Sequence, residues 1–212
     1  MGRNSMSYPD HTYAGKEMKI MSKITIIFPG IGYNSDRPLL YYGRKLAERN
    51  GYECRTVPYV YQGDMNIRGD LQKMEEAFKA LYLQAQGILA DAGLEKYDDV
   101  LFISKSVGTV IAAAYAECLR DKMICGTGRL RHVLYTPLEY TFKYDPENAM
   151  GFLGTADPWC VPDEVIRIAK EQNVPVHVYE GANHSLETGD ILADLNILKD
   201  VIEKTGAFIR EI

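Results

Sequence analysis

Short, β-branched apolar runs alternate along this chain with longer segments whose apolar residues recur near every 3.6 positions, and that alternation restricts the fold more than any other feature. The runs are Ile24–Phe28, Tyr52–Val57, Val100–Ile103, His132–Tyr135, Gly151–Leu153 and Val176–Tyr179. Near-continuous apolar character over so few residues suits strands buried on both faces. Between most of them lie Arg37–Arg49, Leu71–Ala92, Val107–Arg120, Asp163–Gln172 and Asp190–Ile212, all rich in helix formers. Strands that alternate with helices predict an α/β three-layer sandwich, a mainly parallel central sheet flanked by helices. No repeat or linker-like composition interrupts the pattern, so one domain is expected over residues 21–212. The polar residues 1–20 are read as a tail or an early edge element.

The chain has 212 residues and a formal net charge of −5. That balance argues against a general binder of phosphate backbones, which needs a basic face, so nucleic acid is not an expected partner. No stretch approaches the apolar length of a membrane span, and the first residues lack the apolar middle of a signal peptide, so a cytoplasmic protein without membrane insertion is expected. Gly2 is followed by Met6 where a myristoylation motif needs Ser or Thr. The cysteines Cys54, Cys118, Cys125 and Cys160 are scattered. Neither a disulfide framework nor a metal site is indicated.

Directly after the run Val100–Ile103 comes Ser104-Lys105-Ser106-Val107-Gly108, and then the small-residue segment Thr109–Ala114. Strand, sharp turn and helix form the setting of a nucleophile elbow, which needs small residues two before and two after the nucleophile. Ser104 and Gly108 meet that need, and Ser106 would sit at a helix N-terminus, where developing negative charge is favoured. Alone, a serine near a glycine is as readily a helix cap. Two residues further along the chain give Ser106 its weight. Asp157 in Gly154-Thr155-Ala156-Asp157-Pro158 and His184 in Gly181-Ala182-Asn183-His184-Ser185 each sit just past a later strand, in the order acid then histidine. His132 and His177 fall inside strands and His11 in the tail. Asp145, before Pro146, is the fallback acid.

In this reading His184 is the general base for Ser106, and Asp157 fixes the imidazole. The oxyanion donors are the N–H of Val107 and one from Pro29-Gly30-Ile31-Gly32-Tyr33, with Ile31 preferred over Gly32 or Tyr33. That loop ends neither as G-x-G-x-x-G nor as a phosphate loop, so no nucleotide is expected. Gly30, Gly32, Tyr33 and Trp159 are the expected substrate contacts. Tyr33, Tyr41, Tyr42, Trp159 and the aromatic stretch Pro137–Tyr144 would line an open apolar pocket, or else pack in the core or against a second copy in a homodimer.

The combination of FPGIGYN at 28–34, SKSVGT at 104–109, GTADP at 154–158 and GANHS at 181–185 resembles the α/β-hydrolase superfamily, with its small cap-less, dienelactone-hydrolase-like members the nearest comparison. The resemblance spans roughly residues 23–212. It implies esterase, thioesterase, lipase, peptidase or acyltransferase chemistry on a small-molecule acyl substrate, with no cofactor and no metal. Ser104 departs from the family's usual first glycine of the elbow, which leaves a non-catalytic binding protein as the alternative. Serine also stands where dienelactone hydrolases use cysteine. Only 13 positions separate Thr136 from Ala149, where the family inserts its lids, so no substantial cap is expected.

Overall fold

The computed structural model describes residues 21–123 and 129–211; Gly2, Met6, His11 and Cys125 lie outside them. Six strands, β1 (Lys23–Phe28), β2 (Glu53–Thr56), β3 (Asp99–Lys105), β4 (Arg129–Tyr135), β5 (Ala149–Gly154) and β6 (Val176–Tyr179), form one sheet in the order β2-β1-β3-β4-β5-β6. Every pairing is parallel. The helices are α1 (Pro38–Arg49), α2 (Leu71–Leu89), α3 (Val107–Met123), α4 (Pro162–Glu171) and α5 (Ile191–Arg210). Sequence chemistry sets several of their ends. Pro38 opens α1, where its missing N–H costs nothing. Asp70 and Asp190 cap α2 and α5 by accepting from the Lys73 and Ala193 amides.

Period-two burial sends alternate strand residues to opposite layers. Leu101, Ile103, Val133, Tyr135 and Phe152 pack with Leu40 of α1 and Val201 and Ile209 of α5. Ile24, Ile26, Val100 and Phe102 pack with Phe78 and Leu81 of α2 and Ile111 and Leu119 of α3. Leu134 and Leu153 meet Val165 and Ala169 of α4. The expected three layers are present. Residues 137–148 hold only the short 3-10 helix Glu139–Tyr144. No helix among the described residues is long and apolar enough to cross a membrane.

At the amino ends of the central strands sits a buried ionic cluster. The fully buried Asp99 carboxylate accepts from Arg131 at 2.9 Å and from the Tyr52 hydroxyl at 2.6 Å. Arg131 also donates to the Phe208 and Ile209 carbonyls of α5 and to the Tyr52 hydroxyl. Arg129 donates to Glu211 O at 2.8 Å. The carbonyl end of α5 is thus closed by two guanidinium groups, which complement its dipole.

Candidate active site

All the sequence-selected polar residues that come together do so at the opposite, carboxyl ends of the strands. Ser106 joins β3 to α3 with φ at +58°, in the left-handed region that a non-glycine residue adopts only when its surroundings hold it there. Its amide donates to Tyr135 O at 3.0 Å, and its carbonyl accepts from the Thr109 amide at 2.8 Å. The turn is tight enough to dictate its neighbours. A Cβ on Gly108 would lie 2.3 Å from Phe28 O, so only glycine fits there. Ser104 is fully buried and donates its hydroxyl to Val133 O at 3.2 Å. The departure from glycine is therefore accommodated, with a polar partner for the added atom.

Asp157 and His184 arrive on the loops after β5 and β6. His184 Nδ1 is 2.7 Å from Asp157 Oδ2, and His184 Nε2 is 2.7 Å from Ser106 Oγ. The Asp157 side chain is fully buried and that of His184 is 17% exposed. With the carboxylate accepting the Nδ1 proton, the Nε2 lone pair faces the serine hydroxyl. The two loops are tied together. Ala156 N donates to Ala182 O, Gly181 N donates to Thr155 Oγ1, and a Cβ on Gly154 would fall 2.1 Å from Ala182 O. Asn183 Oδ1 accepts from the Ser185 and Glu187 amides and so shapes the turn that carries His184.

Burial pushes the His184 imidazole below its ordinary value; the Asp157 hydrogen bond opposes that shift and the charge of Lys105 adds to it. Asp145, the fallback acid, is absent from this arrangement. It ends the 3-10 helix, mostly exposed and 4.0 Å from Arg120. His132 is buried in β4, and His177 lies in β6.

The Gly30 and Tyr33 backbones exchange hydrogen bonds at 3.2 Å, closing a turn around Ile31 and Gly32. The Tyr33 amide is consumed by that bridge, which removes it from the oxyanion candidates; the Ile31 amide has no partner among the described residues. A Cβ on Gly30 would meet Ser106 Cβ at 3.1 Å, so this turn lies directly against the elbow.

Trp159, an expected substrate contact, donates its amide to Asp157 Oδ1 at 2.9 Å, and its ring lies 5.7 Å from the His184 ring. Tyr33 is partly buried against the α1 and α5 layer, and its hydroxyl accepts from the Leu39 amide. Tyr41 and Tyr42 pack edge-on to each other on exposed α1 positions. Two surface cavities of about 490 and 500 Å³ include none of Ser106, Asp157 and His184 in their walls. Among the described residues no three His, Cys, Asp or Glu side chains cluster as a metal site.

No family model and no curated protein matches the sequence. Solved structures do match. A protein from Xanthomonas campestris described as a serine hydrolase without a lid is 12% identical over 92% of this chain and 84% of its own, with a TM-score of 0.59. The chain has the α/β-hydrolase fold. A proposed hydrolase of the alpha/beta superfamily from Xanthomonas campestris is 18% identical, covering 87% of this chain and 99% of that one, with a TM-score of 0.57. The esterase Pf2001 of Pyrococcus furiosus is 15% identical over 90% and 83%, with a TM-score of 0.58. In the α/β-hydrolase fold Ser106 occupies the strand-to-helix corner at the centre of the sheet, between β3 and α3.

Proposed function

We propose that the chain is a serine hydrolase that cleaves a small or medium acyl ester or thioester through an acyl-enzyme. The observation that carries this reading is the unbroken line Asp157, His184, Ser106, with both links at 2.7 Å and the serine held at a strained corner. His184 takes the Ser106 proton as Oγ attacks the acyl carbon, and Asp157 stabilises the imidazolium. The oxyanion is met by the amides of Val107, at the start of α3, and Ile31. Collapse of the tetrahedral adduct breaks the acyl–oxygen or acyl–sulfur bond, and His184 returns its proton to the leaving group. Water, deprotonated by the same imidazole, then releases the acid. Gly30 and Gly32 let the substrate approach the backbone closely, and Trp159, whose ring lies 5.7 Å from that of His184, is a substrate contact together with Tyr33.

The lidless serine hydrolase and the esterase among the structural neighbours support this class of chemistry, and the absence of a cap among residues 137–148 supports an open site. Turnover of p-nitrophenyl acetate and butyrate, and of an acyl thioester, is the direct test. Activity lost in a folded Ser106→Ala variant is the expected result, and activity retained by that variant would refute the assignment.

A further inference from the structure

Lys105, the last residue of β3, has no role in the chemistry above, yet it occupies an expensive place. Its side chain is fully buried, and Nζ has no hydrogen-bond partner among the described residues. A leucine or methionine would fill such a strand position without desolvating a cation. The ammonium lies 4.9 Å from the centre of the Tyr33 ring, so it rests on the turn that carries Gly30 and Ile31. The charged and titratable groups that face it are Asp157 and Cys160, from the segment after β5, and His184. Glu139 in turn faces Cys160, and Glu187 and Arg37 face Tyr33. Asp157 is thus one buried carboxylate with two bases near it.

We propose that Lys105 is a positioning residue whose ammonium competes with the His184 imidazole for the field of Asp157, and so keeps that imidazole free to act as base. A proton on either base draws on the same carboxylate and repels a proton on the other. Burial brings Lys105 down to about 7, resisted by Asp157, so its charge is present in the mildly acidic range where a histidine ordinarily protonates. While Lys105 is charged, His184 resists protonation. The Tyr33 ring offers the ammonium a second electrostatic support and couples it to the turn against the elbow.

This inference rests on the triad reading, and its experiment has one arm that needs turnover and one that does not. In the first, kcat/KM for a p-nitrophenyl ester is followed against pH in the unmodified chain and in Lys105→Met, which keeps an unbranched side chain one atom shorter and removes the charge. The acid limb of Lys105→Met is expected to move upward by about one pH unit, which below the limb reads as a roughly tenfold loss. The limb position, not the plateau height, is the readout; an unmoved limb in folded Lys105→Met overturns the proposal and leaves Lys105 as packing. In the second, NMR of the unmodified chain follows the His184 ring and the lysine ammonium groups through the same range. The expected His184 curve has two steps, the upper coinciding with proton loss at Lys105, and a single step overturns the coupling. If Ser106 proves unreactive, the triad reading fails on its own while the NMR arm still decides on Lys105.

Discussion

Each end of the sheet holds a buried carboxylate paired with a basic group, and the two ends use it differently. At the amino ends of the strands Asp99 faces Arg131, Arg129 and the Tyr52 hydroxyl, and the same guanidinium groups close the carbonyl end of α5. Arginine side chains are permanent cations in proteins. At the carboxyl ends Asp157 faces a histidine whose second nitrogen points at a hydroxyl. Imidazole changes charge near neutrality. The same carboxylate chemistry therefore anchors the fold where its partner is permanent and, in the function proposed above, prepares a reaction where its partner titrates.

Substitutions should separate the two ends. Ser106→Ala is expected to lower kcat by a factor on the order of 10⁶, toward the uncatalysed rate, while its denaturant midpoint stays close to that of the unmodified chain. Asp157→Asn, which keeps the shape but offers the imidazole the wrong hydrogen-bond pattern, should cost roughly 10⁴ in kcat. If Asp157→Asn were instead mainly a stability defect, the contrast between the ends would collapse. Asp99→Asn is expected to do the reverse. It leaves Arg131 buried without its charge partner, a loss of about 3–5 kcal/mol in urea unfolding, with turnover per folded molecule retained.

Two acid effects are smaller. Ester turnover should fall on acidification as His184 protonates, with the limb below the ordinary imidazole value because burial lowers it. His132 lies between these regions, buried, with no partner for its Nδ1 among the described residues and its ring edge-on to Phe102. Burial takes it down to about 3. An unfolded chain binds a proton there from about pH 6.5 downward while the folded chain refuses it. The contribution of His132 is thus intact above that value and is lost as pH falls from 6.5 toward 3, by roughly 1.4 kcal/mol per unit at most. Unfolding curves of His132→Phe between pH 7 and 4 should be correspondingly flatter, and an unchanged slope would remove His132 as a source of acid sensitivity.

The sheet was legible because its central strands are buried on both faces, which writes continuous apolar runs such as Ile24–Phe28. The edge strand β2 is shorter than its run suggests: Glu53 and Arg55 are exposed, and pairing on one side only holds Glu53–Thr56. Helix α2 stops at Leu89 rather than Ala92, because Gly93 at φ +62° turns the chain into a 3-10 helix at Leu94–Lys96. Ser106, Asp157 and His184 could be picked out because each follows a strand end. The cluster around Asp99 could not, since its partners are dozens of residues apart; its only trace is a charge at the start of β3 and two in β4. The hydrogen bond from the Trp159 amide to Asp157 was not legible either, because apolar pattern does not report backbone contacts. Lys105 reads as one more charged residue beside a serine, and only the packing around β3 reveals that it is buried.

The central claim is that Ser106 is an activated nucleophile. Labelling with a fluorophosphonate probe, followed by mass spectrometry of the modified peptide, tests it most directly, with Ser106→Ala and heat-unfolded protein as controls. The account predicts a single adduct on Ser106 in the folded chain and none in either control; a folded chain that stays unlabelled, or an adduct that survives in Ser106→Ala, would contradict it.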